Sequence, residues 1–406
     1  MAWLSYKHFV PDGTRQRFRD ALPERFGHAT QRFRDALPER FGHATPRPLH
    51  ATAQRLVTNQ AAEMTCPATE LPAAGRDARR QARDVYSLRP RAETRPVVGG
   101  MFAFAACAVG AAILATWLPL QVSIVTVFLF AGPHNWFEFR YFLMRLPARF
   151  GRSRTFFLTA FAGLAILIVT YVSLPFLYQT VAWSNETWLM LLASWNTLML
   201  AWLGLLIHLR VKQKRTSDWF WTMPLLLAAA SLNWLAPELF SLAIVYIHPL
   251  IALWFLDRQL KRSRPSWLGA YRRCLFLLPL IAGVMIWHLS GTPALASDNG
   301  LFWRITQHSG AQLLPQVSTH LLVSVHLFLE MLHYGVWILA LPLLGNGFLT
   351  VKSKGFSRNA ALIIGAVAVV ILWFGFAADY TTTRDLYFTI AIAHVLAEAP
   401  FLLKTL

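Results

Sequence analysis

Three times in this chain a histidine is followed four residues later by a glutamate: His134 with Glu138, His326 with Glu330, and His394 with Glu398. Each pair lies in an otherwise apolar stretch. A helix advances about 100° per residue, so residues four or seven apart return to one face. His333 therefore shares a face with His326 and Glu330. A further histidine, His248, stands near the middle of another apolar stretch and is followed by Pro249. Ionisable groups inside a membrane are costly and usually functional. Imidazole and carboxylate together form a ligand set for iron, zinc or manganese. The metal-ligand candidates are His134, His248, His326, His333 and His394. The catalytic candidates are Glu138, Glu330 and Glu398. A carboxylate one turn from an imidazole either ligates directly or accepts the second ring N–H and fixes the tautomer. The plainer reading of any one pair is a hydrogen bond between helices in lipid, worth about 0.6 to 2 kcal/mol. Three such pairs and His248, spread over four segments, favour a metal or proton site.

The stretch around which the rest is organised is 318–343, STHLLVSVHLFLEMLHYGVWILALPL, long enough to cross a bilayer while carrying His326, Glu330 and His333. The remaining segments must bring partners to that face. Hydropathy gives ten candidate spans: 101–117, 119–139, 155–178, 187–208, 218–234, 236–256, 274–289, 318–343, 359–378 and 386–403. Every second loop is basic, with Arg145, Arg149, Arg152 and Arg154; Arg210, Lys212, Lys214 and Arg215; Arg258, Lys261, Arg262, Arg264, Arg272 and Arg273; and Lys352, Lys354 and Arg358. The intervening loops carry Arg304 and Arg384. By the positive-inside rule both termini are cytoplasmic. The expected fold is an all-α polytopic bundle in a bacterial cytoplasmic membrane, with the bilayer as its surroundings.

Composition agrees: the chain is 55% hydrophobic and 14% charged. The net charge of +18 comes from the N-terminal region and the loops, a distribution that fits membrane orientation and not nucleic-acid binding. Cys66, Cys107 and Cys274 have no paired spacing and are expected to be free thiols. Residues 1–96 read as a basic, disordered extension preceding a transmembrane domain over 97–406. Within the extension QRFRDALPERFGHAT occurs twice, at 16–30 and 31–45. Two copies of 15 residues are too few and too short for a solenoid, and a start codon placed too far upstream also accounts for the segment. His208, His288, His308 and His320 read as interfacial or solvated histidines. Asp257 reads as one half of a surface ion pair, and Arg140 as snorkelling to the interface. Gly132-Pro133 and Pro249 are positions where a helix can bend. No P-loop, GxGxxG, CxxC or nucleophile elbow is present.

Four segments, AGPHNWFE, YIHPLIALWFLD, HLFLEMLH and IAHVLAEAPF, occur in an order that resembles the Brp/Blh-type β-carotene dioxygenases, multispan membrane proteins with intramembrane histidines. Pro133, His134 and Glu138 match in spacing. His326 and His333 stand seven apart where that family has closer histidines, and Glu replaces its usual Asp. The resemblance implies non-haem Fe2+ held by His134, His248, His333 and His394, with O2 as co-substrate and a carotenoid or other long polyene entering from the bilayer. The expected function is thus a metal-dependent oxidoreductase or dioxygenase acting on an apolar isoprenoid. The alternative is a transporter whose His and Glu residues carry protons or a divalent cation.

Overall fold

In a computed structural model, the described residues are 94–146, 151–180, 184–214, 219–296, 300–344 and 356–405. The repeat-bearing extension, Cys66, Arg149, Arg215, Lys352 and Lys354 lie outside them. Every regular element among the described residues is helical. In chain order these are α1 (Thr94–Trp117), α2 (Pro119–Arg145), α3 (Arg154–Thr180), α4 (Asn185–Lys214), α5 (Thr222–Leu235) and α6 (Pro237–Ser263). There follow α7 (Pro265–Leu275), α8 (Leu277–Leu289), α9 (Gly300–His308), α10 (Thr319–Tyr334), α11 (Phe356–Ala378) and α12 (Tyr380–Thr405). Beyond Tyr334, α10 passes through a π-helical turn, Gly335–Ala340, into a final turn at Leu341–Leu344.

Among the described residues seven helices are long and apolar enough to cross a membrane. They include α1, α4, α6, α12 and the continuous α10 segment Thr319–Leu344, whose apolar stretch is the most buried of the seven. The chain is therefore an all-α, multi-pass membrane bundle. The helix α2 is equally long, but His134, Asn135, Glu138 and Arg140 dilute its apolar character. Residues of α5 and of α11 from Leu362 form shorter apolar helices.

The core follows the helix faces. One cluster joins Tyr141 and Phe142 of α2, Phe255 and Leu256 of α6, Trp337 of the π-helical turn and Phe401 of α12. A second packs α3 against α4 and α12 through Phe157, Trp202, Leu206 and Leu396. Because lipid removes the hydrophobic driving force between helices, close packing at small residues and polar contacts hold them together. Asn196 and Asn233, both fully buried, link α4 to α5 at 2.8 Å, and Asn196 reaches Ser241 of α6 at 3.2 Å. Close approach of α2 to α11 depends on two glycines. A Cβ on Gly365 would lie 2.5 Å from the Trp136 ring, and one on Gly132 would lie 3.1 Å from Val369.

One expectation requires correction. Arg384 does not sit in a loop: α12 begins at Tyr380, so its guanidinium is carried inside the helix and is 2% exposed. It lies over the Phe388 ring at 4.7 Å, while Arg304 of α9 pairs with the neighbouring Asp385. Pro133 lies within α2, which stays helical through it to Arg145. Next to it the side chains of His134 and Asn135 reach back to the Phe130 and Ala131 carbonyls at 3.1 and 3.0 Å.

Candidate metal centre

Four helices each contribute one imidazole to a common centre: His134 from α2, His248 from α6, His333 from α10 and His394 from α12. The ring centroids trace a closed quadrilateral, with sides His134–His333 5.4 Å, His333–His248 4.7 Å, His248–His394 5.1 Å and His394–His134 5.2 Å. The His333–His394 diagonal is 6.4 Å.

Two buried carboxylates complete the centre. Donor atoms of His134, Glu138, His333 and His394 lie within 4.8 Å of one another, as do those of His248, His333 and Glu398. Ligands on opposite sides of an ion sit about 4.2 Å apart, twice a ~2.1 Å metal–nitrogen bond. The residues therefore fit a metal ion with little rearrangement.

The state of the polar atoms leads to the same conclusion. Among the described residues Nε2 of His134 and both oxygens of Glu138 are buried without a hydrogen-bond partner, and His333, His394 and Glu398 make poorly aligned contacts with the Pro249 and Ala391 carbonyls and the Trp337 indole. Each unsatisfied group in a membrane interior costs several kcal/mol. A cation at their centre would engage one nitrogen of each imidazole together with carboxylate oxygen. For His134 the tautomer is also settled. Nδ1 lies 3.1 Å from the Phe130 carbonyl, so it carries the proton and donates it there. The Nε2 lone pair is then left for a ligand, the arrangement in which an outer hydrogen bond orients a metal-binding imidazole.

Glu398 takes a partner that the sequence pattern does not show. Its Oε2 lies 3.1 Å from Nδ1 of His248, on a different helix. The contact lacks hydrogen-bond alignment, as expected of two groups turned towards a shared third one.

His326 and Glu330 occupy a different place. His326 is buried against Tyr246 and His308, with ring centroids at 5.6 and 5.1 Å. Glu330 accepts a 2.7 Å hydrogen bond from Tyr334, whose ring lies 4.4 Å from that of His134. Asn135 donates to the Tyr387 hydroxyl at 3.1 Å. One cavity of about 70 Å3 is lined by both groups, by His134, His248, His333 and His394 and by His308, His326 and Glu330. Val245, Ala391, Ile392 and Val395 contribute apolar wall. His308 is thus buried, not solvated: Phe388 covers it at 4.4 Å. His288 and His208 are exposed, and His320 binds the Thr116 carbonyl at 2.8 Å. Asp257 pairs with Arg272 of α7, at 2.7 and 3.1 Å, in place of its neighbour Arg258.

Sequence reasoning missed Tyr387, Asn135 and His308 as constituents of this region. Tyr334, four residues after Glu330, stands beside the proposed ligands in the sequence as in the structure. Comparison with protein-family models, curated proteins and solved structures finds no match for this chain.

Proposed function

We infer that the protein is a membrane-embedded, metal-dependent oxidoreductase, and specifically a non-haem iron dioxygenase of apolar isoprenoids such as carotenoids. The observation carrying this reading is the closed quadrilateral of His134, His248, His333 and His394, with Glu138 and Glu398 buried beside it. Support for the family likeness comes from the same residues in the same chain order. His134, His248, His333 and His394 would hold Fe2+, with Glu138 and Glu398 as ligands or orienting groups. A histidine-held ferrous ion with an open position supplies activation of O2.

The chain's own groups do the rest. Phe130 fixes the His134 tautomer through its carbonyl. Tyr334 holds Glu330 beside the cavity by donating its phenolic proton. The apolar wall of Val245, Ala391, Ile392 and Val395 keeps bulk water from the reacting atoms. Cleavage of one C=C bond by one O2 yields two carbonyl groups, with both oxygen atoms in the products. It needs no proton and no external reductant, so no electron-donor domain is called for. At about 70 Å3 the cavity suits O2 and the reacting bond, and the flanks of a polyene would extend between helices. The topology that accompanies this reading has ten spans, with both termini on the cytoplasmic side of a bacterial membrane.

The test is oxygen consumption and aldehyde formation by detergent-purified protein, loaded anaerobically with Fe2+ and given β-carotene, beside a His333→Ala variant. Equimolar O2 uptake and double-bond cleavage, lost in the variant, are expected. Metal-free protein that moves protons or divalent cations across sealed vesicles would replace the enzyme by a carrier.

A further inference from the structure

Away from the histidines, four helices carry cations near their C-termini, and three of these cations lie within electrostatic range of the fourth. These are Arg145 at the end of α2, Arg210 near the end of α4, Arg262 at the end of α6 and Lys404 at the end of α12. Like charges repel, so such a grouping needs a reason. Helix C-termini carry partial negative charge and supply part of it. Among the described residues the side-chain contacts of Arg145, Arg210 and Lys404 are with neutral groups. Arg145 stacks on Tyr141 at 4.0 Å and donates to Gln259 at 2.5 Å. Arg210 donates to the Leu403 and Lys404 carbonyls at 3.2 and 3.0 Å. Lys404 lies over Phe157 at 4.8 Å. The nearby carboxylate Asp257 is already engaged by Arg272. Within the same group Tyr141 has a buried hydroxyl with no hydrogen-bond partner among the described residues. Among the described residues Arg145, Arg210 and Lys404 are thus positioned by neutral groups.

We propose that Arg145, Arg210, Arg262 and Lys404 form a binding site for a phosphate group, presented by an anionic phospholipid headgroup or by a soluble phosphate. Guanidinium forks match phosphate oxygens in geometry as well as charge. Three of the four cations are half-buried, with Arg262 exposed at the edge of the group. That placement gives the site a defined floor, unlike a string of solvated loop lysines. It lies at the end of the bundle where the basic residues gather, the side a phospholipid headgroup can reach. The site is separate from the proposed metal centre and stands whether or not that centre holds iron.

The experiment is native mass spectrometry of the full chain in detergent, titrated with phosphatidylglycerol or phosphatidylcholine, and in separate arms with inorganic phosphate and diphosphate. Arg145→Gln combined with Lys404→Gln should weaken phosphatidylglycerol binding by about fivefold for each charge removed. Arg145→Lys should keep most of it. Arg273→Gln, which removes an exposed cation of α7 outside the cluster, should leave it unchanged. Circular dichroism establishes that each variant is folded. Preference for phosphatidylglycerol assigns the phosphate to lipid, and saturable binding of inorganic phosphate or diphosphate without lipid preference assigns it to a soluble molecule. Wild-type binding by the double variant, or an equal loss in Arg273→Gln, would overturn the site.

Discussion

His326 and His333 share one face of α10, but two helical turns separate them and they meet different neighbours. A seven-residue step raises a side chain by about 10 Å along the axis. Sequence spacing therefore identified a common face without placing both imidazoles at one depth. His333→Ala is accordingly expected to abolish metal retention, while His326→Ala keeps it, as measured by metal content of protein that still folds. The partner of Glu398 was similarly hidden, because a four-residue spacing suggests His394 and packing delivers His248 of α6. Replacing Glu398 with Gln should weaken metal binding by roughly 10- to 100-fold if it orients a ligand, the range for outer partners of metal sites. Tyr334→Phe leaves a buried Glu330 oxygen without its donor. A loss of about 1–3 kcal/mol in stability is expected from denaturation in detergent.

At the scale of elements, hydropathy located the helical segments well because lipid demands continuous apolar helices with internally satisfied backbones. The helix that carries the last apolar stretch begins earlier, because Tyr380–Asp385 is polar although helical. The π-helical turn after His333 had no visible signal, as its residues Gly335–Ala340 are ordinary helix formers apart from Gly335. Two element-level outcomes follow from close contacts. Gly365→Ala forces a methyl group against Trp136 and disturbs the 3.0 Å bond from its indole to the Leu362 carbonyl. A destabilisation of about 1–3 kcal/mol is expected by thermal unfolding, the usual cost of overpacking. At the entrance to α12, Asp379 accepts from the Thr382 backbone N–H at 3.1 Å. Hydrogen bonding by Thr382 holds its carboxyl below the usual carboxylate range. This contribution is present above the unfolded-state pKa of roughly 3.9 and disappears as pH falls through the lower folded value. Asp379→Ala should therefore lower Tm at neutral pH, with the difference closing below about pH 4.

Across the whole molecule, the membrane class was legible from composition, whereas the mutual arrangement of helices was not. Hydropathy reports burial in lipid or protein alike, and only packing separates the two. The proposed ten-span topology predicts that cysteines introduced at Lys214 and Arg273 are shielded from an impermeant thiol reagent in intact cells, and that cysteines at Ser184 and Gly291 react. The background for that measurement carries Ser at Cys66, Cys107 and Cys274. The reverse pattern would invert the bundle. The central claim, that α2, α6, α10 and α12 meet to hold one metal centre, is tested most directly by the metal content of the purified full chain after anaerobic incubation with Fe2+ and removal of free ion. Near-stoichiometric iron in the wild type, retained in His326→Ala and lost in His333→Ala, is the predicted result. A wild-type chain that retains no iron, or one whose iron survives His333→Ala, would contradict it.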